Sequence, residues 1–274
     1  MNYKTIMVSL ALDKPNEACL AVAGDLAERF ETRVIGIAAS DLRPPLYFEE
    51  GEYAQNLIRQ EESAIRRRLS ELEAEFHGSV QKRAKFVEWR SALAMPANYL
   101  VQQSRAADLL VVGARTEVIV DLSAAVDPAD VLMRAGRPLV VVPPTVQWLD
   151  LRSVLVAWKD VKEARRAVLD ALPILAIAKD VTIAEIPEDG STRVHALSHL
   201  EDVAAWLRGH GIVASVAASE PAENVPGQLE WIAANAGAGM VIAGAYGHSR
   251  LREWALGGVT RHLITSSRCA LLSH

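Results

Sequence analysis

The chain has 274 residues, half of them hydrophobic and 23% charged, with a formal net charge of −5. That length supports one large domain or two ordinary ones, each with its own core. The mixed, slightly acidic charge excludes the basic face of a nucleic-acid binder, and no apolar run approaches the ~18 residues of a membrane span.

Taken in chain order, Tyr3-Lys-Thr-Ile-Met-Val opens a strand near 4–11 with no signal-peptide pattern before it, so a cytoplasmic setting is expected. A helix follows near 15–30, then a strand near 33–39 and a long helix near 54–76. Ile58, Ile65, Leu69, Leu72 and Phe76 form its apolar stripe, as a helix lying on a sheet requires. Arg66, Arg67 and Arg68 are interleaved with Glu61, Glu62, Glu71, Glu73 and Glu75, a solvated face rather than a basic patch. Strands near 83–89, 108–113 and 138–143 alternate with helices near 96–106 and 128–135. Leu109 to Val112 and Leu139 to Val142 are apolar on both faces, as strands covered by helices on both sides must be.

The second half repeats this alternation. Strands are predicted near 153–158, 180–186, 212–218, 239–243 and 269–273, and helices near 161–177, 194–209, 225–236 and 258–266. Thr5 to Ser9 matches Ser153 to Ala157 at an offset of 148, while Ala107 to Ala114 matches Ala238 to Ala245 at 131. The difference of 17 places an insertion in the first half, mostly in the Leu42 to Tyr53 stretch with its Pro44-Pro45 pair. Alternating strands and helices imply right-handed crossovers and parallel sheets. The fold class is therefore α/β, with two tandem five-stranded parallel-sheet domains at 1–145 and 150–274 and a linker running from Pro143 to Asp150. The last strands of the two halves, Leu139 to Val142 and Ala270 to Ser273, suit mutual edge pairing, an intramolecular pseudo-dimer that hides two apolar edges. Further homodimerisation stays open. Cys19 and Cys269 sit in apolar surroundings without metal or redox spacing and read as buried free thiols.

The segment with most chemical content is Gly244-Ala-Tyr-Gly247, nine residues, then Gly257-Gly258-Val259-Thr260, directly after the apolar run Met240 to Ala243. A strand, a glycine-rich loop and a helix start let backbone N–H groups approach an anion, and the helix N-terminus adds its positive end. The pattern resembles the G-x2-G-x9-G-S/T signature of the universal stress protein family, with Gly258 in place of the first hydroxyl and Thr260 keeping the second. The resemblance covers nearly the whole chain, by motif in the second half and by layout in the first. It implies an adenine nucleotide alpha hydrolase-like, Rossmann-like three-layer fold. It also implies ATP or a related adenine nucleotide as ligand, with Mg as an optional companion.

The candidate contacts are Ala157, Trp158, Lys159 and Asp160 at the first strand end of the second half. To these the loop adds Gly244, Tyr246, Gly247, His248 and Arg250, and the helix start Gly257, Gly258, Val259 and Thr260. Lys159 or Asp160 stands where the family carries an acidic or amide group beside the adenosine. Asp160 has a second reading as a helix N-cap, Trp158 one as core, and Lys159, His248 and Arg250 one as solvated residues. The first half departs further: Gly113-Ala114-Arg115-Thr116 keeps one glycine, and Val126-Asp127-Pro128-Ala129 stands where Gly257 to Thr260 do. Asp127 would cap the helix itself and repel a phosphate, and Pro128 removes a donor. Asp13 marks the acidic position. This half is expected to have lost a triphosphate site and to act as a built-in partner.

No nucleophile elbow, P-loop lysine, zinc-protease helix or pyrophosphatase loop is present, so no enzyme is expected. His195 and His199 share a helical face near Asp202, but with no strong third ligand they read as an exposed polar face rather than a metal site. Two readings follow: a nucleotide-binding stress or signalling module, and a structural or assembly module of the same fold that binds nothing. A slow ATPase ranks behind both.

Overall fold

The computed structural model describes residues 2–42, 52–115, 122–187, 193–245 and 258–274. The first half runs β1 (Thr5–Ser9), α1 (Glu17–Phe30), β2 (Arg33–Ser40), α2 (Glu52–Val80), β3 (Phe86–Leu93), α3 (Pro96–Gln103), β4 (Leu109–Gly113), α4 (Pro128–Arg134) and β5 (Leu139–Val142). The second runs β6 (Ser153–Trp158), α5 (Lys162–Ile177), β7 (Asp180–Glu185), α6 (Arg193–Gly209), β8 (Ala214–Ala218), α7 (Val225–Asn235), β9 (Met240–Gly244), α8 (Gly258–Thr265) and β10 (Cys269–Ser273). Each element falls where the sequence pattern places it, within a few residues.

The strands form one sheet in the order β3-β2-β1-β4-β5-β10-β9-β6-β7-β8. Pairing is parallel within each half and antiparallel at the seam, where Val141 faces Ala270, Val140 faces Leu271 and Leu139 faces Leu272. The expected union of last strands is thus present. Because the seam is antiparallel, the carboxyl ends of the two sets of strands point in opposite directions, and each half has its own crevice.

Helices α1, α2, α5 and α6 cover one face of the sheet, and α3, α4, α7 and α8 the other. Successive strand residues point to opposite faces, so Val140 and Val142 enter the first core while Leu139 and Val141 enter the second. In the first core Phe76 is fully buried and stacks on Trp89 at 5.7 Å between ring centroids. Gly36 beneath them is obligatory packing, since a Cβ there would lie 2.8 Å from both rings.

Two points differ from the sequence reading. The extra length of the first half lies mainly in α2, which has 29 residues against 17 in its counterpart α6, rather than mainly in the loop before it. A helix gains a hydrogen bond for each residue added, so lengthening α2 is less costly than lengthening a loop. The segment between the halves is also fastened: Leu149 is fully buried. Its N–H donates to Asp25 Oδ2 at 2.5 Å, and its carbonyl accepts from Arg29 at 2.9 Å. Asp25 in turn accepts from Arg83 at 2.5 Å. Tyr3 ties the halves again, its hydroxyl donating to the Asp170 carbonyl at 2.7 Å, with burial raising its pKa.

Candidate functional site

Ligands of parallel α/β sheets bind beyond the carboxyl ends of the strands, where the strand order reverses. In the second half that point lies between β6 and β9, which pair with Ala157 opposite Ala243. The structure therefore brings the ends of the two strands together, with Gly244 one residue beyond the Ala157–Ala243 pair. Gly258, Val259 and Thr260 form the first turn of α8. Tyr246, Gly247, His248, Arg250 and Gly257 lie outside the described residues.

The glycines differ in what they do. A Cβ on Gly244 would sit 2.5 Å from the Glu163 carbonyl carbon and 2.8 Å from its oxygen. Glycine is needed there for α5 to approach β9, a packing reason that the motif does not reveal. At Gly258 a Cβ would meet, among the described residues, only Pro226 Cγ, at 3.6 Å. The residue is exposed, and the opening N–H groups of α8 have no partner within the helix. That donor set fits a phosphate group. Thr260 is buried at 4% exposure, and Val259 packs on the α7/α8 core.

The four residues at the β6 end separate. Ala157 faces the α7/α8 layer, whereas the Trp158 ring enters the α5/α6 layer at 8% exposure, in keeping with its core reading. Lys159 is half-buried in a tight turn, its carbonyl accepting from the Val161 N–H at 2.7 Å. Asp160 does not cap α5. The N-cap is Val161, with no side-chain cap bond, and Asp160 Oδ1 instead accepts from Arg165 at 2.6 Å. The longer reach of a guanidinium one turn inside the helix captures the carboxylate.

In the first half Asp127 does cap α4, accepting from the Ala129 N–H at 3.0 Å, and it pairs with Arg115 at 3.6 Å. The N–H groups that would meet a phosphate are already served by a carboxylate. A cavity of about 330 Å³ nevertheless opens at the β1/β4 crevice, lined by Asp13, Lys14, Asn16, Cys19, Gly113 and Arg115 among others. Asn16, which no sequence motif singles out, is buried and closes the β1–α1 turn through two bonds with Ala11 at 2.8 and 2.9 Å. His274, weighed in sequence only as a weak metal ligand, has its Nδ1 3.2 Å from the Ala245 carbonyl oxygen beside the glycine segment. Nothing local in sequence marks either contact.

His195 and His199 do meet, with ring centroids 4.3 Å apart. Among the described residues no group of three or more His, Cys, Asp or Glu is placed to hold a metal ion, and no helix is long and apolar enough to cross a membrane.

No protein-family model and no curated protein matches this sequence. Solved structures do match its fold. A universal stress protein from Archaeoglobus fulgidus DSM 4304 superposes with a TM-score of 0.72 at 16% identity, covering 98% of this chain and 95% of that one. A protein from Pseudomonas aeruginosa UCBPP-PA14 assigned to the universal stress proteins superposes with a TM-score of 0.59 at 13% identity, covering 99% and 93%. Both comparisons span the two halves together, so the chain has the tandem, two-domain fold of the universal stress proteins.

Proposed function

We propose that the chain is a tandem universal stress protein of the cytoplasm that binds ATP or a related adenine nucleotide in its second half and acts in stress response or signalling. Its domains are 1–145 and 150–274. The observation that carries this reading is the asymmetry of the two helix starts. α8 opens on Gly258, where an added Cβ would find Pro226 Cγ at 3.6 Å as its one neighbour among the described residues, whereas α4 opens on an aspartate cap and a proline. The spacing of Gly244, Gly247 and Gly257 supports the same assignment. The nucleotide phosphates would lie at the start of α8, accompanied by Mg when the triphosphate is bound.

Binding rather than turnover is the proposed role. A ligand held this way shifts the balance between conformations or assemblies only by its different affinity for each. Calorimetry of the full chain with ATP, with and without Mg, tests the proposal, and mass spectrometry of small molecules released on denaturation identifies any ligand carried through purification. Saturable binding weakened by Gly257→Glu but not by Asp127→Ala is expected. Absence of binding would favour the structural module. Equal weakening by both variants would refute the asymmetry.

A further inference from the structure

A second cavity lies away from the β6/β9 crevice, between α5 and α6, with a volume of about 500 Å³. Its walls are apolar: Trp158 at the base, Val168 and Leu169 from α5, Val203 and Trp206 from α6. Leu169 and Trp206 are 45% and 44% exposed, and the Trp206 ring also meets the His210 ring at 4.4 Å between centroids. A pocket of this size and lining suits a small molecule with an apolar body.

The polar groups of the cavity are incomplete. Among the described residues, Trp158 Nε1 and His199 Nδ1 from its wall, and Glu185 Oε2 on the neighbouring strand, are buried without a hydrogen-bond partner. Buried polar atoms are nearly always paired, and an orphan is destabilising. These three belong together. Trp158 and Glu185 are register partners on β6 and β7, so their side chains leave the sheet on the same face, and His199 packs over that face from α6. Burial raises the Glu185 pKa, with His199 opposing and Asp160 reinforcing the shift. Both of those neighbours line the cavity.

The charges on the wall have a sign. Arg165 is neutralised by Asp160. Asp202, also on the wall, has no ion-pair partner among the described residues. The cavity thus offers an aromatic and aliphatic body, one uncompensated carboxylate, and an indole N–H that lacks an acceptor. Tryptophan faces attract organic cations, and a carboxylate beside them favours the same guest. We propose that the α5/α6 cavity binds a small organic cation with an apolar skeleton and one oxygen acceptor: ammonium to Asp202, oxygen to Trp158 Nε1, skeleton between Leu169, Val203 and Trp206. This site is independent of the nucleotide reading.

Phenylalaninol is a suitable probe, since it joins a phenyl ring, an ammonium and a hydroxyl. The controls are phenethylamine without the hydroxyl, 3-phenylpropanol without the ammonium, and 3-phenylpropanoate with reversed charge. Binding is read from the indole N–H resonances of the 6 tryptophans, with Trp158→Phe identifying the resonance of interest. Affinity on the order of millimolar is expected for a ligand this small, and removal of the ammonium should weaken it up to about fivefold. Asp202→Asn should erase the difference between phenylalaninol and 3-phenylpropanol. Trp158→Phe should erase the difference between phenylalaninol and phenethylamine, while both variants keep the wild-type melting temperature within a few degrees. The proposal is overturned if no probe saturates, if the acid binds as tightly as the amine, or if either folded variant leaves its paired difference intact.

Discussion

Gly113 and Gly244 stand at equivalent positions of the two repeats, each closing the strand before its crevice, yet they should respond oppositely to a single methyl group. In Gly244→Ala the new Cβ would lie 2.5 Å from the Glu163 carbonyl carbon and 2.8 Å from its oxygen. Ordinary contact begins near 3.4 Å, so α5 or β9 must move by several tenths of an ångström, and the obstacle is backbone rather than a flexible side chain. Overpacking of this kind costs about 1–3 kcal/mol, or about 3–9 °C of Tm for a domain of this size. In Gly113→Ala the Cβ would meet, among the described residues, only Cys19 Sγ, at 3.7 Å. Neither glycine has a positive φ, so alanine introduces no backbone strain. At Gly113 the reduced freedom of the unfolded chain should then leave stability unchanged or raised by about 0.4–1 kcal/mol. Thermal unfolding of both variants by circular dichroism or calorimetry decides the matter. Equal shifts, or a larger loss at Gly113, would refute the claim that Gly244 is a packing glycine.

Gly258→Ser restores the hydroxyl of the family pattern where Pro226 Cγ, at 3.6 Å, is the one described atom near an added Cβ, and it should tighten ATP binding on the order of ten- to hundredfold, the value of one added hydrogen bond to a charged group; calorimetry showing weaker binding would contradict the phosphate assignment. Burial pushes the thiols of Cys19 and Cys269 up to about 12, so both should resist an aromatic disulfide reagent at pH 8 and react on unfolding in denaturant. Glu185 has its folded pKa raised above the ordinary 4.5. Its protonated form is therefore favoured by folding, and the stability it contributes is full below pH 4.5 and lost as pH rises through the folded value. Glu185→Gln should flatten that decline in urea titrations; an unchanged pH profile would count against burial as the cause.

The sequence by itself determined the order and type of the elements, because hydrophobic periodicity and glycine spacing are local and each strand or helix states its own period. It also determined the pairing of halves: Leu139 to Val142 and Ala270 to Ser273 are apolar edges with nowhere else to go, and the antiparallel seam follows. The loss of the first-half phosphate motif was equally legible, since Asp127 and Pro128 act on the helix start they occupy. Only the tertiary structure decided that Gly244 serves packing, because the atoms that press on it come from Glu163, far away in the chain. Asp160 has two sequence readings, a nucleotide contact and a helix cap; the structure excludes the cap and pairs its carboxylate with Arg165, a choice between nearby donors that spacing cannot settle. The α5/α6 cavity was hidden for the same reason. Trp158, His199 and Trp206 are ordinary residues of one strand and one helix until β6 and α6 pack together, and a cavity is a property of surfaces that meet rather than of any segment.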